Sequence, residues 1–178
     1  MKKFLTAVMI TFLTVTGANA MDTENTIYLD LKDGRVVIEL DATVAPNHVA
    51  RVKELTRSGF YDGVKFHRVI PGFMAQTGDP TGTGAGGSGK NLAAEFNKTP
   101  HVRGVVSMAR ADDINSADSQ FFIVFADARF LDGKYTAFGK VSSGMEFVDK
   151  IKAGTQSNNG AVDNPDIIVK MQVAADAE

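Results

Sequence analysis

Apolar and polar positions alternate as soon as the region after residue 25 begins. Ile27, Leu29 and Leu31 alternate with Tyr28, Asp30 and Lys32. After Asp33-Gly34, Val36, Ile38 and Leu40 alternate with Val37, Glu39 and Asp41. Two period-2 runs around Asp-Gly predict an antiparallel hairpin with a two-residue turn. The period then changes: Pro46 precedes Val49, Val52 and Leu55, and Ser58-Gly59 follows, which predicts a helix with proline in its first turn. Short strand patterns recur around 64–70, 73–77, 105–109, 120–125 and 136–141. A second short helix is expected over 145–152, and Ile167, Val169, Met171 and Val173 mark a final strand. Many short strands with two helices argue for a mainly β chain in a closed antiparallel barrel, not a parallel α/β sheet. The longest irregular stretch is 79–104, and such loops inside a domain are functional or disordered.

Alternation also sorts faces within a strand. Phe121, Ile123 and Phe125 share one wholly apolar face, the expected core. Gln120, Phe122 and Val124 share the other, a mixture a core would not use. Around Arg68, Phe66 and Ile70 fall on its face, and Met74 and Gln76 lie two apart. These mixed faces are expected to converge on an outer groove. Spacing alone leaves open that Arg68 and the glutamines occupy an ordinary solvated face.

The length of 178 residues fits one domain. Residues 1–20 differ from the rest: Lys2 and Lys3, an apolar or hydroxyl-bearing run to Thr16, then Ala18-Asn19-Ala20. That is the layout of a secretory signal peptide, too short to span a bilayer. Cleavage after Ala20 would leave a domain at 21–178, in the periplasm of a bacterium. Loss of Lys2 and Lys3 takes the net charge from −2 to near −4, which gives no support for nucleic-acid or anionic-membrane binding. The chain has no cysteine, so its stability must come from its core.

The run Phe66-His67-Arg68-Val69-Ile70-Pro71-Gly72-Phe73-Met74-Ala75-Gln76, closed by Gly78-Asp79, resembles the signature of the cyclophilin family of peptidyl-prolyl isomerases. Gly104-Val105-Val106-Ser107-Met108-Ala109, Ser119-Gln120-Phe121-Phe122-Ile123, Leu131-Asp132-Gly133-Lys134 and Phe138-Gly139-Lys140-Val141 resemble its later blocks in order. The likeness spans about 26–173. It implies an eight-stranded antiparallel barrel capped by two helices, with a proline pocket on the outer surface. By this resemblance Arg68 is the catalytic arginine, and Phe73, Met74, Phe122 and Leu131 form the pocket. Gln76 and Gln120 hold substrate and position the arginine, while Ala109 and Arg110 meet the substrate backbone. Phe130 and Tyr135 stand where tryptophan and histidine are usual, and Arg110 where asparagine is common. Phe130 lacks an indole N–H, so the resemblance implies weakened binding of cyclosporin. It also implies an enzyme that acts on proline-containing, unfolded or partly folded polypeptides, helps exported proteins fold, and needs neither cofactor nor metal; with no coiled-coil heptad or extra apolar segment to advertise an assembly surface, a monomer is expected.

Three other signals compete. Gly84-Ala85-Gly86-Gly87-Ser88-Gly89-Lys90 fits a phosphate-loop spacing, but Asn91 stands where Ser or Thr should hold magnesium and Pro100 forbids a long following helix. His48, His67 and His101 have no metal-ligand spacing, and His67 is expected to point inward and take a structural hydrogen bond. A proline-binding module without catalysis would use the same groove, although it would have no need of Arg68.

Overall fold

The computed structural model describes residues 22–177, so the expected leader at 1–20 lies outside the described residues. Eight strands form one antiparallel sheet: β1 (Thr26–Leu31), β2 (Gly34–Leu40), β3 (Arg68–Ile70), β4 (Met74–Thr77), β5 (Val105–Met108), β6 (Phe121–Val124), β7 (Ala137–Ser143) and β8 (Lys170–Val173). Their order across the sheet is β3-β4-β6-β5-β7-β2-β1-β8. The hairpin forms as expected, but Leu31 pairs with Gly34, so Lys32 and Asp33 make the turn.

The expected closure needs correction. The sheet curls into a half-barrel whose edges, β3 and β8, do not pair with each other. The segments just before them meet instead: Lys65 bridges Ile167, and the Gly63 and Phe66 amides donate to the Ile168 and Asp166 carbonyls. Residues 160–162 cover the outer edge of β3, with Val69 N–H donating to the Gly160 carbonyl at 2.8 Å.

Helix α1 (Pro46–Arg57) buries His48, Val49, Val52, Leu55 and Thr56 against the sheet. Ala45 offers its first turn no side-chain cap. Glu95, from the long irregular stretch, does this from a distance by accepting from the Asn47 and His48 amides at 3.1 Å each. Such a carboxylate satisfies donors that the helix leaves unpaired. The second helix, α2, is shorter than its apolar pattern, at Met145–Val148.

The inner rows of the sheet build the main core. Val69, Ala75, Ile123 and Val106 face one another across β3, β4, β6 and β5, and all are buried in one cluster with Phe121, Phe138, Val52 and Val148. Phe66 also belongs to this cluster. It was expected on Arg68's face, but residues 66–67 precede the regular strand and the period of two does not extend through them. Gly78 fixes the crossing beside β6: with φ +90°, a Cβ there would lie 2.3 Å from the Ser119 carbonyl oxygen. Only glycine fits that approach without strain.

Candidate functional site

The outer rows of the same strands carry the mixed face. Arg68 pairs with Gln76, Gln76 with Phe122, and Phe122 with Ser107. One step along, Ile70 pairs with Met74 and Met74 with Val124. Residues paired in register share a face of the sheet, so the polar Arg68 and Gln76 lie beside the apolar Ile70, Met74, Phe122 and Val124. The apolar part is a second, smaller core. Met74, Phe122, Val124 and Leu131 are buried in it, and Phe73, Ala109 and Tyr135 pack against it.

Geometry in this cluster is aromatic. Phe122 meets Tyr135 edge-on at 5.9 Å between ring centroids and stacks on His101 at 6.3 Å. Phe130 lies 5.4 Å from Phe73 and is 63% exposed, a rim and not a floor. His101 is tied on both sides, Nδ1 to Asp132 Oδ1 at 2.9 Å and Nε2 to Ser107 Oγ at 3.0 Å. Serine, histidine and aspartate in that order resemble a hydrolase triad, but Ser107 is fully buried beside Phe122 and cannot reach a substrate.

The polar row is a chain of directed hydrogen bonds. Arg68 NH1 donates to Gln76 Oε1 at 3.2 Å and approaches Met74 Sδ at 4.0 Å. Gln76 Nε2 donates to Gln120 Oε1 at 2.8 Å, and Gln120 Nε2 to the Gly84 and Gly86 carbonyls at 3.0 and 2.8 Å. On its other side Arg68 is held by Asn159: Nε donates to the Asn159 carbonyl at 3.0 Å and NH2 to Oδ1 at 2.9 Å. Burial lowers the Arg68 pKa from its usual value, partly offset by Tyr135, yet an arginine remains a cation at neutral pH. The arrangement presents a fixed, multiply braced cation beside a buried apolar cluster.

The sequence reading therefore named residues that do come together: Arg68, Gln76 and Gln120 in the polar row, and Phe73, Met74, Phe122, Leu131, Phe130 and Tyr135 around the apolar one. Ala109 and Arg110 border an adjoining hollow of about 440 Å³, with Gln76, Gln120, Asp118 and the Gly86 backbone on its other walls. Arg110 is not a free charge beside the groove. Its guanidinium lies 4.8 Å over the Tyr135 ring and donates to the Lys134, Ala111 and Asp112 carbonyls.

Asn159 escaped the sequence reading. The Asn159-Gly160 pair was the available signal, since asparagine and glycine both tolerate the left-handed backbone found there, φ 57° and 81°. His67 is buried as expected, but neither ring nitrogen makes a hydrogen bond of good geometry. Burial chiefly lowers its pKa, against the nearby Asp79.

The glycine-rich run is no phosphate loop. The Gly84 and Gly86 amides point at the Asp79 carboxylate and the Gly89 amide at Asp118. Donors that would cradle a phosphate are already occupied by carboxylates. Among the described residues no three His, Asp or Glu side chains gather as a metal site would require, and no helix is long and apolar enough to cross a membrane.

Comparison with known proteins agrees with this geometry. The family model for cyclophilin type peptidyl-prolyl cis-trans isomerases matches residues 21–173. A probable peptidyl-prolyl cis-trans isomerase of Brucella suis biovar 1 is 55% identical over 173 residues, covering 90% of this chain and 88% of that protein. Peptidyl-prolyl cis-trans isomerase B of Bacillus subtilis is 46% identical over 130 residues, 71% of this chain and 90% of its own. The crystal structure of cyclophilin AquaCyp293 from Hirschia baltica aligns with a TM-score of 0.78 at 30% identity, over 88% of this chain and 76% of that one. A Cryptosporidium parvum cyclophilin type isomerase, crystallised in the presence of the dipeptide ala-pro, aligns with a TM-score of 0.75 at 30% identity, over 83% of this chain and 98% of its own. A braced arginine beside an aromatic cluster on a curled eight-stranded sheet thus belongs to a chain of the cyclophilin-type peptidyl-prolyl cis-trans isomerase family, an enzyme that rotates X–Pro bonds.

Proposed function

We propose that Arg68 is the catalytic residue of this isomerase and that the enzyme assists the folding of exported proteins in the periplasm, after cleavage of residues 1–20. The X–Pro bond resists rotation by a barrier of about 18–20 kcal/mol because amide resonance must be broken. In the twisted state the prolyl nitrogen regains its lone pair and the amide loses charge separation. A donor aimed at that nitrogen and a dry pocket around the ring both favour the twisted state over the planar one. Arg68 supplies the donor. Phe73, Met74, Phe122 and Leu131 take the pyrrolidine ring, Phe130 closes the rim, and Tyr135 supports Phe122. Gln76 and Gln120 hold Arg68 and, with Ala109 and the Arg110 main chain, receive the peptide. No bond is made or cut, so the chemistry calls for no nucleophile, paired carboxylates, cofactor or metal.

Magnitude assigns the arginine only part of the work. A 10⁵-fold acceleration corresponds to about 7 kcal/mol, whereas a charged hydrogen bond contributes about 1.5–3 kcal/mol. Desolvation and binding of the twisted peptide supply the rest. The observation that carries the reading is the Arg68 guanidinium, held by Gln76 and Asn159 within 4.0 Å of the buried Met74 sulfur.

The physiological role has its own test. Refolding of a disulfide-free exported protein with a slow, proline-limited phase should accelerate when catalytic amounts of the mature chain are added. Acceleration of peptide isomerisation with no effect on that refolding phase would defeat the folding role. Cell fractionation tests the location: a mature form starting at Met21 should appear in the periplasmic fraction, and retention of residues 1–20 on a cytoplasmic form would refute it.

A further inference from the structure

We propose that Asp79 is a positioning residue for isomerisation, acting through the loop at 81–86 to fix which way the Gln120 and Gln76 amides face Arg68. This rests on the reading of Arg68 as the catalytic donor. Asp79 is fully buried, and its carboxylate sits inside the loop that follows it. Oδ1 accepts from the Thr81 amide and hydroxyl, both at 2.7 Å. Oδ2 accepts from the Thr83, Gly84 and Gly86 amides at 3.0, 2.6 and 3.1 Å. With the loop amides turned inward onto one carboxylate, two of its carbonyls, at Gly84 and Gly86, converge on Gln120 Nε2.

The consequence is directional. A side-chain amide has one donor end and one acceptor end, and rotating it by half a turn exchanges them. Two carbonyls at Gln120 Nε2 occupy both of its hydrogens, so the NH₂ end must face the loop and the oxygen must face Gln76. Gln76 in turn presents NH₂ to Gln120, and its oxygen to Arg68. Without the loop carbonyls only Arg68, a pure donor at the far end, opposes reversal, and Gln120 loses the acceptors that hold its NH₂ end. A reversed chain would set the Gln76 NH₂ against the guanidinium, donor against donor. Asp79 therefore orients Arg68 from four links away, without touching substrate.

Space around the loop is equally constrained. A Cβ at Gly86 would stand 2.1 Å from Asp79 Oδ1, so the loop closes on the carboxylate without room for a side chain. Gly86→Ala forces the loop and the carboxylate apart and so displaces the same carbonyl, while keeping the carboxylate's charge and acceptors.

A double-mutant cycle in peptide isomerisation tests the idea, since coupled residues are non-additive. Asp79→Asn replaces one acceptor oxygen by a donor facing the loop amides, and should lower kcat/KM about tenfold. In a Gln120→Ala background, where the relay is already cut, the same change should cost less than twofold. A loss of equal size in both backgrounds, or no loss in the wild-type background, overturns the proposal. If Asp79→Asn does not fold, Gly86→Ala takes its place in the same cycle with the same two outcomes. Gln76→Glu supplies a second readout. An acceptor at both oxygens cannot be reversed, so in that background Asp79→Asn should cost less than threefold, and a full tenfold loss counts against the relay. Absence of isomerisation by the wild-type protein would refute the catalytic reading itself, whereas an active wild type with an additive cycle refutes only the role of Asp79.

Discussion

Asn159→Gly isolates one of the two braces on the guanidinium. Glycine keeps the left-handed backbone that Asn159 adopts at φ 57°, and the main-chain carbonyl still accepts from Arg68 Nε at 3.0 Å. What disappears is the 2.9 Å bond from Arg68 NH2 to Oδ1. A hydrogen bond from a charged donor is worth about 1.5–3 kcal/mol, and partial exposure here reduces that to about 1 kcal/mol. At about 1.4 kcal/mol per factor of ten, kcat/KM should fall roughly fivefold. Thermal stability should change by no more than about 1 kcal/mol, the entropic cost of an added glycine. Isomerisation of an Ala-Pro tetrapeptide followed by two-dimensional exchange NMR reads the rate without a coupled protease. An unchanged rate would refute the side-chain brace and show that Gln76 and the main-chain carbonyl at 159 suffice to orient the arginine. A loss above a hundredfold would show that Asn159 does more than brace it.

Three further outcomes follow from the same geometry. Phe130→Trp adds a ring N–H to a rim that is 63% exposed, and cyclosporin affinity measured by calorimetry should rise; equal or weaker binding would refute the expectation that the missing N–H weakens this interaction. Gly78→Ala should destabilise by about 2 kcal/mol or more in urea melts, because a side chain at φ +90° also meets the Ser119 carbonyl oxygen at 2.3 Å; a neutral effect would contradict the crossing described above. Stability should fall on acidification in two stages. Burial keeps His67 below its usual pKa, so the unfolded chain binds a proton first and stability declines as the pH drops below about 6.5. Burial pushes Asp79 up, but the Thr81 hydroxyl and the Thr81, Gly86 and Gly84 amides outweigh it and hold the carboxyl well below the ordinary range. Its contribution is complete above about pH 4 and is lost as the pH falls below that. Urea midpoints at pH 7, 5.5 and 3.5 check both stages; His67→Leu should flatten the first, and an unaltered slope would refute the assignment.

Strand periodicity made the scaffold legible. Phe121 and Ile123 enter the main core while Phe122 and Val124 enter the second cluster, as the alternation along β6 requires. Helix α1 begins at the proline and ends before Ser58-Gly59 because both signals act on its own backbone. The site was legible only where side chains carry the information. Arg68, Gln76 and Phe122 lie on neighbouring strands in register, so the same alternation puts all three on one face of the sheet. Asn159 reaches Arg68 across 91 positions from outside any strand, and no local pattern encodes that approach. The Gly84 and Gly86 contributions are main-chain carbonyls, which leave no trace in residue type. Phe66 was misplaced because alternation fails where the chain is not yet a strand. Closure is not legible for a related reason: strand count does not report that β3 and β8 are edges.

The most direct measurement compares Arg68→Ala with the wild-type protein in peptide isomerisation and, separately, in peptide binding. Losing a charged donor worth about 1.5–3 kcal/mol should reduce kcat/KM roughly 10- to 150-fold. Binding of a proline peptide, which we assign to Phe73, Met74, Phe122 and Leu131, should weaken by less than threefold. An Arg68→Ala protein that isomerises at the wild-type rate would contradict the account, because the fixed cation would then play no part in twisting the prolyl bond.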